Sequence, residues 1–432
     1  MREMKDSGVE WIGEIPEQWR LAKIGNFYQI TLGKMLETKQ SDDGYSLENY
    51  LCSANIKWKA VDTSINKKMW FSEAERIQYL LKEGDVLITE GGSAGTACLY
   101  NGEFSPCYIQ NSVFRCSASE IDNKYLYYWM HVVYHGGYID SICNRATIQH
   151  YTKDKLQHTP IIYLPKEDKI RIIRYLDEKC TRIDGVIEKQ QAAIEKLKEY
   201  KLSIITEKVS NGLNPCVSTK YSGNEFIGSI PSHWKCVKIK NVSIVVTDGA
   251  HVSPETENGV YDFISTVNVE QDRIDFDNCL KTTESSYQYL VSTGCRPLSG
   301  DVLISKDGSV GRTAIVNTDR DFVVSSSLVI IRPKIEMITS EYLNFVLQSA
   351  FVQETLLMLM HGAGLRRVSV NKNANLPVLL PPIDEQKDIV KYLEKKCSDI
   401  EKDITKRRII VEELFMYKKS IIFEVVTGKK EI

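Results

Sequence analysis

The sequence holds 11 cysteines in 432 residues but no pair at Cys-x-x-Cys spacing. An odd, scattered set offers neither a disulfide framework nor a zinc knuckle, so reduced and mostly buried thiols are expected. No run of about 20 apolar residues is long enough to span a bilayer, and the opening MREMKDSGVEW has no apolar signal core. A cytoplasmic protein with no membrane partner is therefore expected. An excess of charge is missing too: 55 Lys and Arg against 57 Asp and Glu leave a net −2. Nucleic-acid-binding chains usually carry a basic balance, because neutralised phosphates supply much of the affinity. Any DNA surface here must be a local stripe, or be completed by another subunit.

Signs of catalysis are equally scarce. The stretches GGSAGTA and DGSVGRTA have the glycines of a phosphate-binding loop but no lysine to reach a β/γ-phosphate. There is no Asn/Asp-Pro-Pro-Tyr/Phe stretch of the kind amino-methyltransferases place around a target amine. The nearest approach, LNPC at 213–216, lies in a linker. Neither a nucleophile elbow nor a carboxylate-lysine nuclease cluster is expected. His131 and His135 are four apart, but the glutamate of a His-Glu-x-x-His site is missing, so no metal is assigned to them. The chain reads as a non-catalytic protein without a cofactor of its own.

What the sequence does contain is itself, twice. The segment KDSGVEWIGEIPEQW at 5–19 returns as KYSGNEFIGSIPSHW at 220–234. Aligning 5–27 with 220–242 gives 12 identities in 23 positions, including Gly8, Gly13, Pro16 and Trp19. Further on, EGDVLITEGGSAGTA returns as SGDVLISKDGSVGRTA, KYLYYW as EYLNFV, and IRIIRYLDEKC as KDIVKYLEKKC. The offset drifts only between 213 and 217, so the chain is one duplicated unit.

Each copy has a mixed part and a helical part. Short β-branched runs between glycine turns, with one or two helical stretches, predict an α+β (mixed α/β) domain. After LPKEDK and LPPIDEQK each copy then runs about 40 residues without proline. Prolines Pro165, Pro381 and Pro382 stand where a helix can begin. Alternating steps of three and four pick out Ile173, Leu176, Cys180, Ile183, Ile187, Gln190, Ile194, Leu197, Lys201 and Ile204. The second copy gives Val390, Leu393, Cys397, Ile400, Ile404, Arg407, Val411, Leu414, Lys418 and Ile421. A heptad seam sustained this long predicts a coiled coil, and polar breaks at matching places predict that the two helices pair with each other. In an antiparallel pair Gln190 is expected near Arg407, with the tips of Lys201 and Lys418 reaching water. The boundaries read from this pattern are 1–163, 164–212, 213–380 and 381–432.

These residues, with YLCSANI, FISTVNV, both GDVLI turns and LPPIDEQKDIVKYLEKKCSDI, resemble the specificity subunit of type I restriction-modification systems over essentially the whole chain. LPKEDKIRII departs from the usual Leu-Pro-Pro-x-x-Glu-Gln pattern at Lys166 and Lys169. The resemblance implies two target-recognition domains, each reading one half of a bipartite site in double-stranded DNA. They would be held apart by two helical spacers in an antiparallel coiled coil. It further implies two methyltransferase subunits carrying S-adenosylmethionine, and two restriction/motor subunits using ATP and Mg. A coiled-coil adaptor that never touches DNA is the alternative, and a stand-alone modification enzyme a more distant one.

Loops that enter a groove are where polar and basic side chains reach bases and phosphates. In the first domain these are Lys34, Lys39, Asn55, Lys57, Ser93, Arg145, Gln149 and Lys153. In the second they are His251, Asn268, Arg273, Lys306, Ser309, Arg312, Arg366, Arg367 and Lys372. Arg366 and Arg367 stand out, since adjacent arginines can offer one planar fork to guanine and the other to phosphate.

Overall fold

The two GDVLI runs form central strands, Val86–Thr89 and Val302–Ser305, buried along their whole length, as unbroken apolar runs of this length require. In the computed structural model, which describes residues 3–143, 149–270, 272–360 and 367–432, each lies third in a four-stranded antiparallel sheet. The first sheet runs Gln29–Leu32, Val113–Ser117, Val86–Thr89, Ala97–Leu99. The second runs Ser243–Asp248, Leu328–Pro333, Val302–Ser305, Thr313–Ile315.

A three-stranded sheet accompanies each one. Lys67–Phe71, Ser46–Leu51 and Tyr108–Ile109 make the first, with its last pair parallel. Leu280–Thr282, Tyr261–Ile264 and Phe322–Val324 repeat that pattern. Helix Glu120–His135, capped by Ser119, buries Tyr125, Leu126, Trp129, Val132 and Val133 at helical spacing. Its counterpart is split into Ser340–Gln348 and Ala350–Leu359, because Ser349 takes an extended backbone (ψ 151°) that no α-helix accommodates.

The chain forms two units, Met1–Gln190 with Ile409–Ile432, and Gln191–Arg408. The repeated opening segment explains how each is closed. Trp19 donates from Nε1 to Asp168 Oδ2 at 3.0 Å, and Trp234 donates to Glu385 Oε2 at 3.1 Å. Both carboxylates stand in the first turn of a long helix, Lys166–Asn211 or Ile383–Val426, where a negative charge is favoured. A glycine ending the other long helix then covers each indole. Gly428 (φ +76°) would set a Cβ 2.7 Å from Trp19, and Gly212 (φ +73°) one 3.2 Å from Trp234. Only glycine combines that left-handed backbone with so close an approach. Truncating a fully buried indole of this kind costs about 3–5 kcal/mol.

The departure from Leu-Pro-Pro-x-x-Glu-Gln acts at the same place. Buried Gln386 accepts from Thr339 N–H and donates to Met337 and Pro381 carbonyls. Lys169, its counterpart, instead ion-pairs with Asp122 at 2.6 Å.

Within each unit the long helices pack antiparallel. In the first, Lys418 Nζ lies 2.7 Å from both oxygens of Asp184. Leu176, Ile183 and Ile187 share a core there with Ile421, Ile422 and Val425. In the second, Lys201 Nζ donates to Glu401 at 2.9 Å, and Lys208 lies 5.8 Å from the ring of Tyr392. Ile173, Leu176, Ile183, Ile187, Ile194, Val390, Leu393, Ile400 and Ile404 are buried. Leu197, Val411 and Leu414 pack against the cores from partly exposed positions, and Gln190 and Arg407 are half-buried. Lys201 and Lys418 are mostly covered, with side chains 14% and 17% exposed, and their tips turn to acids instead of extending to water. An acid on the facing helix captures each ammonium, which a partly buried charge requires.

Candidate nucleic-acid interface

The hairpin turns 90–96 and 306–312 are built alike. Thr89 Oγ1 donates to the Ser93 carbonyl at 2.6 Å, and Ser305 Oγ to that of Ser309. Ser93 and Ser309 are left exposed at the tips. Residues 91–95 carry the letters Gly-x-Ser-x-Gly, but they join two antiparallel strands and not a strand to a helix, so they form no nucleophile elbow.

A later segment returns to each turn at the same backbone position. Tyr151 N–H donates to the Glu90 carbonyl at 2.7 Å, and Val368 N–H to the Lys306 carbonyl at 2.9 Å. The side chains there differ. In the first unit His150 Nδ1 lies 3.0 and 3.1 Å from the two Glu90 oxygens. In the second, Arg367 Nε donates to Asp307 Oδ1 at 2.7 Å, Lys306 Nζ lies 3.1 Å from Asp307 and 3.6 Å from Asp248, and His251 lies 3.0 Å from Asp248. One scaffold thus presents two different sets of charges.

Four residues expected to reach DNA are internal. Lys34 is buried, with its ammonium between Glu37 and Glu75 and near the rings of Tyr45 and Phe71. Burial works against that charge, but the hydrogen bonds it donates to Glu37 and Glu75 prevail and raise its pKa. Asn55 is wholly buried: Oδ1 accepts from Cys52 N–H at 3.1 Å, and Nδ2 donates to the Asp62 and Ile65 carbonyls. Asn268 does the same work with Ser265 and Asn278. Lys306 is buried between its two aspartates. All four hold turns together, because buried polar groups must find partners.

Lys39, Lys57, Lys153, His251, Arg273, Arg312 and Arg367 are exposed with Ser93 and Ser309. Gln149 and Lys372 are half-buried, and bond to Asp140 and to the Leu359 carbonyl. Arg145 and Arg366 lie outside the described residues. Sequence reasoning missed Glu90, His150, Asp248 and Asp307. The signal was present, since the offset of 217 maps Arg367 onto His150.

His131 and His135 serve packing. The His131 ring lies 4.1 Å from that of Trp58, and among the described residues its Nε2 has no hydrogen-bond partner. Burial, reinforced by His135 and Lys418, pushes its pKa well below the ordinary value of 6.5. Burial also lowers His135, to about 4. Among the described residues no group of three or more His, Cys, Asp or Glu could hold a metal, and no helix is long and apolar enough to cross a membrane. Because the fold keeps His131 neutral, the unfolded chain takes up that proton first as pH falls below about 6.5. The stability tied to the neutral ring is present above that pH and lost below it. A His131→Phe chain is expected to lose less Tm between pH 7 and pH 5 than the parent. Equal losses in parallel thermal melts would count against this.

Comparison with known proteins supplies the context. The family described as the type I restriction modification DNA specificity domain matches residues 16–204 and again 231–409. The type I restriction enzyme MjaVIII specificity subunit of Methanocaldococcus jannaschii is 24% identical over 427 residues, covering 96% of this chain and 93% of its own. The EcoBI specificity subunit of Escherichia coli is 22% identical over 271 residues, 60% of this chain and 56% of its own. A chain solved for the assembly and conformational transition of the type I restriction-modification system is similar in fold, with a TM-score of 0.67 at 15% identity, covering 95% of this chain and 98% of that one.

Proposed function

This chain belongs to the type I restriction-modification DNA specificity family, and we propose from that premise that each of its halves reads one part of a split DNA target. One observation carries the reading. Two units share strand order and the Trp-carboxylate anchor, yet they differ in the charged side chains at the same hairpin turn. Phosphate contacts position a protein on a duplex, whereas base-edge contacts specify sequence. A reader of two unlike half-sites needs such a constant scaffold with unlike turns.

The recognition domains are then 1–163 and 213–380, and the helical spacers 164–212 and 381–432 set the distance between half-sites. Phe415, Met416 and Tyr417 are exposed on the second long helix, which supports docking of methyltransferase subunits there. Methyl transfer from S-adenosylmethionine and ATP-driven cleavage would belong to two methyltransferase and two restriction/motor subunits, while this chain contributes no catalysis.

A net charge of −2 neutralises few phosphates, so the isolated chain is expected to bind DNA weakly and the assembled complex tightly, with a steep salt dependence. Filter binding of duplex DNA, with and without the methyltransferase subunit, tests this. An isolated chain that bound its target as tightly as the complex at physiological salt would refute the weak-binding expectation. Absence of salt-sensitive retention in both cases would favour an adaptor that joins two protein partners.

A further inference from the structure

Resting on that reading, we infer that Glu90 with His150, and Asp307 with Arg367, are the base-reading pairs of the two halves. In each pair a carboxylate on the hairpin turn fixes one nitrogen of the facing side chain and leaves its remaining nitrogens directed at a base edge. The carboxylates are mostly covered, with side chains 19% and 9% exposed, while their partners are 57% and 60% exposed. Stability does not account for such an arrangement, because an ion pair with one partner this exposed contributes little. Preorganisation does: a reader already held in place loses less conformational freedom on binding.

The chemistry of each pair sets what it reads. Asp307 engages Arg367 through Nε, and no contact of its two Nη groups competes among the described residues. Those groups form the fork that matches guanine O6 and N7 in the major groove. In the other half Nδ1 of His150 faces the Glu90 carboxylate, and so carries the proton and donates it. Nε2 is then the acceptor in the neutral ring. It suits an exocyclic amino group, adenine N6 or cytosine N4. The two halves thus read with opposite hydrogen-bond polarity from the same place in the fold. Glu90 and Asp307 are positioning residues that act through the side chains they hold.

The test uses the full chain assembled with its methyltransferase subunits, after a genomic methylation map has given the parent target. Binding is measured to a set of duplexes, each with one base pair changed, for the parent and for Arg367→Lys, Asp307→Asn, His150→Phe and Glu90→Gln. The parent is expected to discriminate about tenfold or more at a G·C pair in one half, as a bidentate contact provides. Arg367→Lys should lose that discrimination at that pair alone, and Asp307→Asn should weaken it there. His150→Phe and Glu90→Gln should act at one pair in the other half. Discrimination retained at every position, or a uniform loss over all duplexes, would overturn the assignment. For any variant that fails to fold, the parent is tested on modified DNA, with 7-deazaguanine in one half and a base lacking its exocyclic amino group in the other. No loss of binding on those duplexes overturns the corresponding pair. A parent without any split target would instead sink the two-half reading itself.

Discussion

Replacing residues 28–160 with the corresponding stretch of a relative is expected to change one half of the DNA target completely and to leave the other half as it was. The chain enters and leaves the replaced piece at one place. Strand Arg20–Lys23 pairs with Pro160–Tyr163, Lys23 facing Pro160, and Ile24 N–H donates to the Thr159 carbonyl at 3.0 Å. Entry and exit are therefore neighbours, and the Trp19-Asp168 anchor lies outside the exchange. The incoming domain must still bring its own clasp onto the retained scaffold. Here Tyr125 OH donates to the Ile162 carbonyl and Tyr128 OH to Asp177. Each mismatched base pair in a site typically costs about 1–3 kcal/mol, so losing several in one half abolishes binding to the parent site. Methylation mapping of the exchanged chain in its host reads the outcome. A motif with both halves changed would show that the two domains do not read independently.

The duplication and the long helices were legible in the sequence because their physics is local. A heptad seam repeats along one helix, and LPPIDEQK marks its start with proline and acid. Strand order was not legible. The pairing of Val113–Ser117 with Gln29–Leu32 joins residues more than 80 apart, and no local pattern records such a pairing.

The candidate contacts that the fold buries fall into two groups. Asn55 and Asn268 are the same residue at equivalent positions, and both staple a turn. Identity between copies marks scaffold, since two unlike half-sites cannot be told apart by one shared side chain. Lys34 and Lys306 were chosen as basic residues on glycine-rich turns, but each has a carboxylate close by in sequence, Glu37 and Asp307, that takes up its charge. The pairs of Glu90 with His150 and Asp307 with Arg367 needed the fold, because 60 residues separate the partners in both copies.

Lengthening both long helices by four residues, after Gln190 in the first and after Arg408 in the second, is expected to lengthen the spacer between half-sites by one or two base pairs while both half-sites keep their sequences. These points are the boundaries of the two units. The ladders inside each unit, Asp184 with Lys418 and Lys201 with Glu401, stay intact. Extending one helix alone would leave its added turn without a partner, so both must grow together. Four residues add about 6 Å of rise and roughly 40° beyond a full turn. Two base pairs add about 7 Å and, at about ten per turn, roughly 70°. Rise and rotation therefore change in the same sense by comparable amounts, and the second half-site can still be met in its groove. The four inserted positions should continue the three-four apolar spacing, so that the seam is not interrupted. Methylation mapping reports the new spacer directly. An active extended chain that kept the parent spacer would remove the helix pair as the ruler.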